Sequence, residues 1–154
     1  MVGEQLRAPI SLLQPSFPPE LNCFNREGFH FFLSRQLAEA RRYGYFTGYA
    51  LFRLDTSDTN GLLGRVAQCL ARNVRKTDFL GLLDDRTLGL ILQHTTVRDA
   101  QGVLERLNHE LSRFCPHREF SVIASAVAVF PTEANTLEQL EELAGTRLAG
   151  ESTH

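Results

Sequence analysis

Residues 75–93 read RKTDFLGLLDDRTLGLILQ. Two short apolar runs, Thr77–Leu83 and Thr87–Gln93, stand on either side of Asp84, Asp85 and Arg86. Apolar runs of this length around a polar break are the pattern of a β-hairpin. Beyond the hairpin the period turns helical on both sides. Leu62, Leu63, Val66, Ala67, Leu70 and Val74 mark one amphipathic helix before it. Ala100, Val103, Leu104, Leu107 and Leu111 mark another, over Val97–Phe114. A hairpin set between two crossover helices predicts an α/β (α+β) domain. Its central mixed sheet would carry flanking helices, close to the split βαβ arrangement.

Working outward, Phe29, Phe32, Leu33, Gln36, Leu37, Ala40 and Tyr43 follow helical spacing, with Asn25 as N-cap and Gly44 as stop. The predicted helix is Arg26–Tyr43. Tyr45–Leu54 is aromatic and β-branched and reads as a strand, followed by a turn at Thr56–Gly61. Glu119–Phe130 reads as a long strand and Pro131–Asn135 as a turn. Leu137, Leu140, Leu143 and Leu148 belong to a short last helix, frayed over Gly145–Gly150. Pro9, Pro15, Pro18 and Pro19 make residues 1–20 read as an extended leader or linker. The expected domain is 21–148, with 149–154 as a tail.

The chain's 154 residues suit one domain, and 43% apolar with 22% charged residues is globular composition. A net charge of −2 argues against a general nucleic-acid binder. Lys76 is the only lysine, so the basic charge is nearly all arginine, the better residue for planar recognition of phosphates and base edges. Cys23, Cys69 and Cys115 are odd in number and far apart, which predicts free, mostly buried thiols in a reducing cytoplasm. No signal peptide and no membrane span is read. His30, His94, His109, His117 and His154 lack metal-site spacing, so no metal is expected on them.

Five segments in order resemble one bacterial family. LNCFNREGF (21–29), AEARRYG (38–44), ALFRLD (50–55), SVIASAVAVFP (121–131) and TLEQLEEL (136–143) are similar to successive pieces of GGDEF domains, the diguanylate cyclases. The resemblance implies a nucleotidyl-cyclase palm-like fold. It also places the family's signature hairpin at Asp84, Asp85, Arg86, Thr87 and Leu88. The family uses two glycines there for close approach to GTP, then a carboxylate for Mg²⁺, a hard cation that wants oxygen ligands. Here aspartates replace the glycines, and Arg86 and Thr87 replace the acidic pair. Sliding the register puts Leu82 and Leu83 at the glycine positions, which does not restore the signature. After Asp55 the family's substrate-binding segment is missing, which leaves Asp55 as a strand-end turn residue. The resemblance therefore implies a domain without cyclase activity and without bound Mg²⁺.

Arg75-Lys76-Thr77-Asp78 is an RxxD motif at the family's offset for its inhibitory site, where the product cyclic di-GMP binds. A guanidinium can donate two parallel hydrogen bonds to guanine O6 and N7 or pair with a phosphate. A carboxylate can accept from the N1–H and N2–H edge of guanine. Arg106, in Leu104-Glu105-Arg106-Leu107, matches the family's further arginine. Arg41 and Arg42 are candidates for the arginine that a neighbouring subunit contributes. The resemblance thus implies a non-catalytic cyclic di-GMP receptor, cytoplasmic, acting through an unidentified protein partner or a homodimer. The alternative is a ligand-free scaffold for protein–protein interaction.

Overall fold

A computed structural model of the chain describes residues 12–55, 61–115 and 123–150. Four strands, β1 (Thr47–Leu54), β2 (Phe79–Asp84), β3 (Thr87–Gln93) and β4 (Ile123–Phe130), form one sheet in the order β2-β3-β1-β4. Four helices pack on it: α1 (Arg26–Tyr43), α2 (Leu62–Arg72), α3 (Val97–Phe114) and α4 (Leu137–Ala149).

Every adjacent pair in the sheet is antiparallel, which corrects the expected mixed sheet. The reason lies in where the crossovers land. The α2 crossover joins β1 to β2, which run the same way but are separated by β3. The α3 crossover joins β3 to β4, likewise separated by β1. Two interleaved split βαβ units leave no parallel neighbours. The sole parallel bridge described is Phe24 with Gly81. There Phe24 exchanges hydrogen bonds with Leu80 and Leu82 at 2.9 Å each and covers the outer edge of β2.

The sheet is buried on both faces, which explains strands that are apolar at almost every position. Ala50, Phe52, Leu54, Leu88, Leu90, Leu92, Val127 and Val129 face α2 and α3. Tyr49, Leu51, Ile91, Ala126, Ala128 and Phe130 face α1 and α4. Buried Ser125 is satisfied by Asn108 of α3 at 2.9 Å. All three cysteines are buried and none is in a disulfide, and burial pushes the Cys23 thiol up to about 12.

Helix ends follow local chemistry. The Asn25 side chain accepts the Gly28 N–H at 2.8 Å, and Gly44 ends α1 at φ 74°. Thr96 and Thr136 cap α3 and α4. Some expected bounds shift. β1 starts at Thr47 rather than Tyr45, and Thr77 and Asp78 belong to the turn before β2. α2 ends at Arg72, where Asn73 reaches back to the Cys69 carbonyl, although Val74 still packs on the core. Gly145 lies inside α4, which is ordered helix to Ala149 rather than a frayed end. The early segment also departs from the expected leader. Leu12 and Leu13 pack against α1's core and Phe17 and Leu21 against α2's. The turn expected at 56–60 and the strand residues expected at 119–122 lie outside the described residues.

Candidate functional site

The Arg75-Lys76-Thr77-Asp78 segment forms the turn between α2 and β2. The Asp78 N–H donates to the Arg75 carbonyl at 3.0 Å and closes it. The Asp78 carboxylate is 3% exposed and accepts four N–H groups. The Arg75 backbone and Gln93 backbone donate at 3.1 Å each, and Arg75 Nε and Nη2 at 3.4 and 3.3 Å. Arg75 Nη2 also donates to the Gln93 carbonyl and, at 3.1 Å, to Thr95 Oγ1. Asp78 therefore ties the turn to the end of β3 and orients Arg75, whose side chain stays 55% exposed.

Arg75 and Asp78 line a cleft of about 500 Å³ with His94, Thr95, Arg98, Asp99, Gly102, Val103 and Arg106. The 75–78 turn and the end of β3 form one wall and α3 the other. Arg106 donates Nη1 to the Asn73 carbonyl at 2.7 Å, which bridges α3 to the end of α2. His94 holds a left-handed backbone conformation, φ 52°, and its ring packs on Tyr45 at 4.1 Å between centroids, tilted by 34°. Three guanidiniums face the cleft, and one of its two carboxylates, Asp78, is already engaged by Arg75. Such a site can bind an anion with planar hydrogen-bonding edges.

The fold brings Arg75, Asp78 and Arg106 together. It places Arg41 and Arg42 outside this cleft. Arg41 donates to the Asn135 carbonyl and lies 5.1 Å over the Phe130 ring, and Arg42 lies 5.4 Å over Tyr43. Sequence reading missed Arg98. Its signal was present, since Arg98, Gly102 and Arg106 recur every four residues on α3.

The β2–β3 hairpin carries the other expected residues. Asp84 pairs with Thr87 around a two-residue turn, Asp85-Arg86. Asp84 Oδ1 accepts the Arg86 N–H at 2.9 Å. The Arg86 guanidinium donates to the Asp55 carbonyl at 3.1 Å, so a cation sits at the end of β1. Thr87 and Leu88 are buried in the sheet. Asp85 borders a larger cleft of about 1020 Å³ between residues 14–21, α2 and the hairpin, with Phe17, Leu21, Leu63 and Leu82 among its apolar lining.

No protein-family model matches the sequence, and neither does the sequence of any curated protein. Solved structures do match. The GGDEF domain of DgcB from Caulobacter crescentus, in complex with c-di-GMP, superposes with a TM-score of 0.76 at 19% identity, covering 96% of this chain and 91% of that one. The FimX GGDEF domain from Pseudomonas aeruginosa gives 0.73 at 16% identity, covering 89% and 93%. Diguanylate cyclase SiaD in complex with its activator SiaC, also from Pseudomonas aeruginosa, gives 0.70 at 20% identity over 88% of this chain and 57% of that one. The fold is that of GGDEF domains. Among the described residues, no helix is long and apolar enough to cross a membrane.

Proposed function

We propose that this GGDEF-fold domain is a non-catalytic receptor for cyclic di-GMP, bound in the cleft between the 75–78 turn and α3. The observation that carries the reading is the convergence of Arg75 and Arg106, from two separate elements, on one open cleft. The DgcB domain, similar in fold, is itself a complex with c-di-GMP. Arg75 and Arg106 take phosphates or guanine Hoogsteen edges, and Asp78 holds Arg75 in place. Arg41 and Arg42 are exposed on α1, where the site of a second copy can take them once Arg41 leaves the Asn135 carbonyl, and the receptor signals through a homodimer or a protein partner. Binding then shifts a population of assembled states without chemistry.

The hairpin residues support the absence of cyclase activity. Asp84 and Asp85 stand where the family needs glycine, and Arg86 places its positive charge beside Asp55, which disfavours Mg²⁺. Incubation with GTP and Mg²⁺ is expected to yield no cyclic di-GMP. Formation of product would overturn this part.

One observation favours the scaffold reading. The Arg75–Asp78 pair is satisfied within the chain and already has a structural role. Calorimetric titration with cyclic di-GMP, beside Arg75→Ala, separates the two. A receptor binds at micromolar concentration or tighter and loses that binding in the variant. No heat and no thermal shift at high ligand concentration leaves the scaffold.

A further inference from the structure

The cleft extends along α3 beyond Arg106. Arg98, Gly102 and Arg106 form one stripe on the helix, and all three line the cleft. Arg98 is exposed and makes no hydrogen bond or ion pair among the described residues. It sits in the first turn of α3, where the helix dipole disfavours a cation. Gly102 lies inside the helix, where glycine is the poorest former after proline. A Cβ there would meet nothing within 4 Å, so packing does not require the glycine. Neither residue serves the fold, and both face the same open space.

We propose that Arg98 and Gly102 are specificity-determining residues of this cleft. Gly102 leaves the helix surface bare, so that the sugar–phosphate ring of a cyclic dinucleotide lies against it. Arg98 pairs with one phosphate and Arg106 with the other. The two Cα atoms are about 12 Å apart along the helix, at 1.5 Å per residue. Side chains reaching inward from both ends suit a ligand with two separated anionic groups and discriminate against a mononucleotide. This inference rests on the cyclic di-GMP reading above.

The test is calorimetric titration of the full chain with cyclic di-GMP and with GMP. Wild type, Arg75→Ala, Arg98→Ala and Gly102→Gln are compared, with thermal unfolding measured for each. Arg98→Ala is expected to weaken cyclic di-GMP about tenfold, the loss of one charge-assisted contact, and to leave weak GMP binding unchanged. Gly102→Gln is expected to weaken the dinucleotide at least as much while keeping or raising the unfolding midpoint. Wild-type affinity in either variant, with binding lost in Arg75→Ala, overturns the role assigned to that residue and leaves the receptor standing. A wild-type chain that gives no heat overturns the receptor and this inference together.

Discussion

Gly81 and Gly89 face each other across β2 and β3, and the Phe29 ring lies on both. A Cβ at Gly81 would stand 2.4 Å from the ring, and one at Gly89 2.8 Å. Here glycine is needed for close approach, since the ring must touch the strands' backbone to seat α1. Gly81→Ala is therefore expected to destabilise the domain by about 1–3 kcal/mol through overpacking, measured by denaturant unfolding. An unchanged midpoint would mean that the ring moves freely. Asp78 gives a contrasting case. Asp78→Ala leaves the Arg75 and Gln93 N–H groups without their acceptor, at about 1–3 kcal/mol. Arg75→Ala leaves both backbone donors paired and is expected to cost less. Thermal unfolding of the two variants checks the order, and equal losses would assign Arg75 the structural role as well.

At the scale of elements, α4 is clasped to β4 by one ion pair. Arg147 Nη1 and Nη2 each donate to Glu133 at 2.9 Å, and Nη1 also donates to the Val127 carbonyl at 2.8 Å. Glu133 in turn accepts the Val129 N–H at 3.1 Å. The Arg147 hydrogen bonds hold the Glu133 carboxyl below its usual range, against the opposing effect of partial burial. Because folding lowers this pKa, the clasp stabilises fully above the ordinary glutamate value of about 4.3. That contribution is lost as the pH falls through the lower folded value. Wild type is expected to exceed Glu133→Gln in stability near neutrality by about 1 kcal/mol, the pair being partly screened by solvent. The gap should close in acid. A gap that persisted there would show that Glu133 acts through something other than its charge.

At the scale of the whole molecule, two cores sandwich one antiparallel sheet, and the cleft proposed for the ligand lies at the end of that sheet where α2 stops and α3 starts. The Arg75–Thr95 contact holds the turn to the end of β3, and the Arg106–Asn73 contact joins α3 to the end of α2 beside that turn. A dinucleotide seated there would touch the 75–78 turn and α3 at once and stiffen their junction. With cyclic di-GMP bound, the unfolding midpoint of the wild type is expected to rise in step with ligand concentration, by mass action. The same titration on Arg106→Ala should show a smaller rise. Identical curves would place the ligand away from α3.

The sequence by itself determined the elements. Local chemistry is written in short windows, so α1 and α3 run over the residues their periodicity marks, and α1 is bounded by the Asn25 side chain at its start and the left-handed Gly44 backbone at its end. The resemblance carried the fold and pointed to Arg75, Asp78 and Arg106. Tertiary structure decided what local pattern cannot encode. An all-antiparallel sheet follows from where each crossover lands relative to strands distant in sequence. The same holds for Leu12, Leu13 and Phe17, whose prolines suggest a linker but whose side chains find the core. The stripe of Arg98, Gly102 and Arg106 is written in the sequence, but only the fold lays it beside the 75–78 turn. Asp78, which the resemblance assigns to the ligand, is 3% exposed and bonded to its own turn. Burial and partnership depend on what other segments bring to a residue, and only the folded chain specifies them.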